Sequence, residues 1–130
     1  MSKFGLPRSC RLHSRKSIEQ LFTKGVPSFS YPVKMVYAAC EFDDNEPIKA
    51  AFSVSKRNFK HAVDRNRYKR LLREAYRLNC HELKEKLHHQ GTQLSVMFIY
   101  ANKEHNDYAT VEKGMQRLLK RLLDSIEKNE

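Results

Sequence analysis

The stretch HAVDRNRYKRLLREAYRLN, residues 61–79, sets its charged and apolar side chains at helical spacing. At about 100° per residue, with Val63 at zero, Asn66, Lys69, Arg70, Arg73 and Arg77 fall within an arc of roughly 100°. Tyr68, Leu71, Leu72, Ala75, Tyr76 and Leu78 fill much of the rest. The spacing predicts an amphipathic helix whose apolar side meets a core and whose polar side is nearly all cationic. Between Lys56 and Arg77 there are nine basic residues and two acidic ones, Asp64 and Glu74. A solvated helix face ordinarily mixes signs so that residues at i and i+4 pair. Here like charges are stacked, which costs stability unless a partner neutralises them. A polyanion is therefore expected against this helix. Nucleic acid fits best, because planar guanidinium groups suit bidentate phosphate contacts and stacking. A membrane surface would claim the apolar face, which the core needs.

The rest of the chain supports a small mixed fold around this helix. Upstream, Ile18, Leu21 and Phe22 share a helical face that Ser14 or Ser17 can cap, Ser17 with Gln20 as a capping box, and Gly25 ends it. YPVKMVYAACEF (31–42) reads as a strand, DDNEP as a turn, and IKAAFSVS (48–55) as its antiparallel partner. The basic helix is expected from about Phe59 to about Leu87, with an interruption near Asn79 and a stop at Gly91. LSVMFIYA (94–101) is a continuous apolar run, as in a central strand buried on both faces. Tyr108, Val111, Met115, Leu118, Leu119, Leu122, Leu123 and Ile126 then trace one buried stripe of a last helix. The expected class is α+β, a two-layer α/β sandwich in the order α-β-β-α-β-α.

The 130 residues suit one domain, with 1–14 as a flexible basic arm. Residues 1–77 hold 17 basic and 7 acidic side chains, whereas 78–130 hold 8 of each, so the net charge of +10 lies wholly in the first part. Such an imbalance points again to a polyanion. Cys10, Cys40 and Cys80 are odd in number and far apart, which suggests neither a disulfide framework nor a zinc site. No run has the length of a signal peptide core or a membrane span, and a cytoplasmic protein is expected.

At this point SVSKRNFKHAVDRNRYKRLLREAYR (53–77), together with RLHSRKSIEQLFTKG (11–25), resembles the family of bacterial ribonuclease P protein subunits. A strand ending in Ser-Val-Ser-Lys leads to the Arg-Asn-Arg motif, with Arg65, Asn66, Arg67, Lys69, Arg70 and Arg73 at the family's positions. The resemblance implies an RNA-binding subunit that assists a catalytic RNA in removing the 5′ leader of precursor tRNA. It implies Mg²⁺ bound mainly by that RNA, none held by the protein alone, and no catalytic side chain. Partners would be the RNA subunit and the leader, with no membrane and a monomeric free protein. Lys56, Arg57, Arg65, Asn66, Arg67, Lys69, Arg70, Arg73 and Arg77 would bind RNA, and Ile18, Phe22 and Val36 the leader. Ile18 stands where relatives carry an aromatic residue, Val36 where they can carry a tyrosine, and FKHA (59–62) replaces a Gly-Asn-Ala approach to the helix. The resemblance also implies a left-handed β-α-β crossover, which no residue pattern dictates.

Other constellations have plainer readings. Cys80, His81, His88 and His89 lack metal-site spacing and read as an exposed helix surface, EFDDNE as a turn, and Asp64 as a favourable charge at a helix N-terminus. Phe22 is a candidate for base stacking, while Phe29 and Tyr31 read as core residues. No Ser-His-Asp or Cys-His set and no Gly-rich phosphate loop stands out. A stand-alone nuclease is thereby disfavoured, and a ribosomal or general structured-RNA-binding protein is the alternative.

Overall fold

The apolar run around residue 96 forms β4 (Gln93–Tyr100), and it is central because its side chains are buried on both sides of the sheet. A computed structural model describes residues 10–12 and 15–128. In chain order the elements are α1 (Arg15–Lys24), β1 (Val26–Ser30), β2 (Val33–Cys40), β3 (Ile48–Val54), α2 (Ala62–Asn79), α3 (His81–Gln90), β4, and α4 (Tyr108–Lys128). The sheet order is β1-β2-β4-β3, with β1–β2 and β2–β4 antiparallel and β3–β4 parallel.

The mixed α/β class is as expected, but the strand pairing differs. The β2 and β3 strands are not partners: β4 lies between them, antiparallel to one and parallel to the other. The 41–47 loop, instead of closing a hairpin, spans the width of β4. Gln93 at the start of β4 holds it, accepting from the Phe42 N–H (2.9 Å) and donating to the Asp44 and Glu46 carbonyls (2.8 and 2.9 Å). The strand that does form a hairpin with β2 is β1, which sequence reading missed.

Each face of the sheet has its own core. On one face Val33 and Met35 of β2, Ile48, Ala50 and Val54 of β3, and Val96, Phe98 and Tyr100 of β4 meet α2, α3 and α4. The α4 stripe reads as expected, with Val111, Met115, Leu118, Leu119, Leu122 and Ile126 buried. On the opposite face Val36 and Met97 meet Leu21 and Leu12, with Ile18 alongside, so among the described residues α1 is the helix that covers the sheet on that side. Its first residue is Arg15, which leaves Ser17 inside the helix rather than capping it; Ser14 lies outside the described residues. The expected N-terminal arm also lies outside them, except that Cys10 and Leu12 are buried and the Leu12 N–H donates to the Ala50 carbonyl at 2.9 Å.

Gly25, where α1 turns into β1, permits that packing. A β-carbon there would overlap the Leu21 carbonyl of α1 and the Val36 side chain of β2. Gly25→Ala should therefore lift α1 from the sheet and destabilise the protein by about 1–3 kcal/mol, as overpacking does. Urea unfolding checks this, and a midpoint equal to wild type would show that α1 docks more loosely than described. On the opposite face of the sheet, Gly91 (φ 69°) ends α3 as expected, with Gly91 and Thr92 N–H groups donating to the His88 and Leu87 carbonyls.

Candidate nucleic-acid interface

Helix α2 is fixed from beneath. Tyr68, Leu72, Ala75 and Tyr76 recur at helical spacing and are fully buried, Tyr76 against Phe52 and Phe98 of the sheet. Near the helix start, Tyr68 stacks on Tyr100 (ring centroids 4.2 Å apart) and on Phe59 (5.0 Å). Its hydroxyl lies 3.0 Å from His105 Nδ1 and accepts the Asn106 N–H at 3.0 Å. Asn106 also donates through Nδ2 to the Tyr100 hydroxyl (2.7 Å), which donates to the Glu104 carbonyl (2.6 Å). The 101–107 loop is thereby clamped to the helix, and burial pushes the Tyr100 hydroxyl pKa up to about 12. The helix breaks at Cys80, next to the predicted Asn79, whose amide caps Ala75 (2.8 Å) and reaches Glu112 of α4 (3.1 Å).

With Tyr68 and Leu72 inward, Asn66, Arg67 and Arg70 are exposed, and Lys56 and Arg57 project from the preceding turn. That turn is built on Ser55: its carbonyl accepts the Asn58 and Phe59 N–H groups, and its hydroxyl accepts that of Arg57 at 3.1 Å. Asp64 sits in the first turn of α2, where a negative charge is favourable. Val63 and Leu78, however, are exposed, Leu78 because it lies on the outer side of the helix and not with the core stripe.

The remaining predicted residues are partly engaged within the protein. Arg65 lies about 60° round the helix from Tyr68, so its guanidinium turns inward, donating to the Phe59 and Lys60 carbonyls at 2.8 Å each. It ties the basic turn to the basic helix. Arg77 pairs with Glu74, with Nε 3.2 Å from the carboxylate, and that bond raises its pKa. Lys69 is half-buried. Arg73 lies 5.8 Å over the Phe52 ring with a buried Nε that has no hydrogen-bond partner, and burial, aided by Arg11, lowers its pKa.

The three residues expected to meet a leader are split. Phe22 is 64% exposed on α1, Ile18 is half-buried beside it, and Val36 is 7% exposed beneath the helix. Val36 is thus a packing residue rather than part of an open wall. Phe29 and Tyr31, read as core, are exposed instead. Phe29 is on the edge strand β1 and Tyr31 in the turn after it, positions that no local pattern reveals. His81, His88 and His89 are exposed on α3 as expected, whereas Cys80 before them is buried, and among the described residues no three His, Cys, Asp or Glu side chains gather where they could hold a metal ion.

Residues 6–123 match the family model described as Ribonuclease P. The chain is 37% identical over 123 residues to the ribonuclease P protein component of Porphyromonas gingivalis, covering 95% of this chain and 90% of that one. It is 30% identical over 118 residues to the Chlorobium phaeobacteroides protein of the same name, covering 83% and 81%. In fold it is similar to the RNase P proteins of Thermotoga maritima (TM-score 0.65, 22% identity, 85% of this chain and 96% of that one) and Staphylococcus aureus (0.63, 18%, 87% and 94%).

Proposed function

Because the chain belongs to the ribonuclease P protein component family, we propose that it is the RNA-binding subunit of a tRNA 5′-processing ribonucleoprotein of the cytoplasm. The observation that carries this reading is the outward set of exposed cations, Arg67 and Arg70 on a helix seated by buried side chains and Lys56 and Arg57 on the turn before it. Exposed guanidinium groups on a preorganised scaffold lose little freedom when they meet phosphates. Asn66 beside them offers both donor and acceptor to RNA. Lys69 and Arg73 flank the same surface, Arg65 holds its two parts in register, and Arg77 joins it through the Glu74 pair.

In this role the protein screens phosphate repulsion between the RNA subunit and precursor tRNA, while Phe22 and Ile18 meet the single-stranded leader. Mg²⁺ is placed on the RNA, where it supplies charge stabilisation for phosphodiester cleavage; the chain's own residues bind and orient. The test is cleavage of a 5′-end-labelled precursor tRNA at low Mg²⁺ by the protein, by a ribonuclease P RNA of matched origin, and by both. Cleavage at the mature 5′ end in the mixture alone is expected. A silent mixture with tight RNA binding would favour a general structured-RNA-binding protein, and cleavage by protein alone a nuclease.

Phe22→Ala should narrow the preference for leader-bearing over leaderless tRNA by about fivefold, the lower range for loss of one stacked base. Equal weakening for both substrates would remove Phe22 from the leader site.

A further inference from the structure

The 101–107 loop carries one side chain that neither the basic helix nor the core absorbs. His105 is exposed, yet its ring is held edge-on to Phe59 (centroids 5.2 Å apart) and tilted against Tyr68 (5.7 Å). Its Nδ1 is 3.0 Å from the Tyr68 hydroxyl, and among the described residues its Nε2 makes no hydrogen bond. With Nδ1 engaged and the ring exposed, Nε2 is left for a ligand. The Tyr68 ring also carries the Arg67 guanidinium, 5.9 Å from its centre. One buried ring therefore joins His105 to the exposed cations of α2, and a strand of phosphates that meets Arg67 has His105 close by.

The Tyr68 hydroxyl serves either protonation state of the imidazole. It accepts the Asn106 N–H at 3.0 Å, and its single proton has two acceptors in reach, His105 Nδ1 and, at 3.5 Å, the Asn106 carbonyl. With a neutral ring the hydroxyl donates to Nδ1, which places the ring proton on Nε2. With a charged ring Nδ1–H donates to the hydroxyl, which turns its own proton to the carbonyl. Nε2 is a donor in both states, so an anion is the ligand that suits it.

The surrounding charges agree. Arg67 of α2 and Arg65, whose guanidinium donates to the Phe59 and Lys60 carbonyls, bring positive charge, and Lys103 adds to it from the loop. Lys60 is exposed in the turn before α2. Against them stand Asp64 in the first turn of α2, Glu104 beside the ring, and Asp107, whose carboxylate is held by Thr110 at 2.6 and 2.9 Å. The phenols of Tyr100 and Tyr31 accept from Asn106 Nδ2 (2.7 and 3.4 Å).

We propose that His105 is a phosphate contact for the RNA subunit, with Nε2–H donating to a phosphate oxygen, and that the imidazole takes up a proton as the RNA binds. The proposal rests on the reading of the chain as a ribonuclease P subunit. A phosphate beside the ring favours its charged form, so the proton is held more tightly in the complex than in the free protein. The gain in affinity is then fully present at low pH and is lost as pH rises through the titration of the bound ring.

The experiment compares wild type with His105→Gln, which keeps a polar side chain that cannot become charged. Affinity for a matched RNA subunit is measured at fixed salt from about pH 8 to about pH 6, the range in which histidine changes charge. Proton uptake is counted by calorimetry in two buffers of different ionisation enthalpy. The other histidines are present in both proteins, so the difference between them reports His105. On acidification wild type should gain about two- to fivefold more affinity than the variant, the effect of one exposed ion pair, and should take up more protons. Equal gains or equal uptake overturn the proposal, and with a lowered urea midpoint they would make the ring a loop anchor only. Absence of both RNA binding and cleavage in wild type would be the failure of the subunit reading. In that case, or if the variant does not fold, the His105 ring resonance of the wild-type protein is titrated with and without inorganic tripolyphosphate. A midpoint raised by the anion supports the contact, and an unmoved midpoint overturns it.

Discussion

Tyr68→Ala is expected to destabilise the protein by about 3–5 kcal/mol, the range for removing a fully buried aromatic side chain. The ring is enclosed by Phe59 and Tyr100, and its hydroxyl accepts the Asn106 N–H and meets His105. Truncation would therefore open a cavity and leave a loop N–H without its acceptor. Tyr68→Phe separates these effects: it keeps the ring and should cost about 1–3 kcal/mol for the unsatisfied N–H. Urea denaturation measures both. A loss below about 1 kcal/mol for Tyr68→Ala, under the range for a buried aromatic, would mean that the helix start is not seated by this side chain. The consequence reaches the interface, since Tyr68 lies between Arg67 and Lys69 and anchors the backbone that presents them.

The second large effect concerns charge. Removing both Arg67 and Arg70 should reduce the slope of log affinity against log salt for the RNA subunit by about 1.4–1.8, from about 0.7 to 0.9 per lost phosphate contact. Both side chains are exposed, Arg67 with its guanidinium 5.9 Å over the Tyr68 ring, so phosphate competes mainly with water. Arg77→Ala should change the slope less, because the Arg77 guanidinium already holds the Glu74 carboxylate. A titration series from low to moderate salt distinguishes them. If the double variant keeps the wild-type slope, these arginines do not meet phosphate.

The contrast between Arg67 and Arg65 shows where sequence reading ran out. Both belong to one motif, yet Arg65 lies on the inner side of α2 and bonds the turn before it. Helical phase could have placed it inward, but its carbonyl partners come from a turn whose path depends on tertiary packing. The helices with strong stripes were legible because their 3.6-residue period directly encodes burial. The partners of β2 and β3 were not, since an apolar strand carries the same pattern beside a parallel or an antiparallel neighbour. The β1 strand was hidden by its composition, VPSFS, whose proline and two serines read as connection although an edge strand accepts them. That missed strand also explains the misreading of Phe29: with no strand there, no exposed sheet face could be assigned to it.

The docking of residues 10–12 on β3 has a bearing on the protein before it meets RNA. Sheet edges offer unpaired peptide groups on which other chains can crystallise, as in fibrils. The Arg11–Ala50 bridge and the Leu12 N–H bond occupy part of the β3 edge, while Pro27 withholds a donor from β1 and Arg121 occupies the Phe29 carbonyl. Both margins of the sheet are thus partly closed from within the chain. A newly synthesised subunit waiting for its RNA is thereby less open to growth by strand addition at either border.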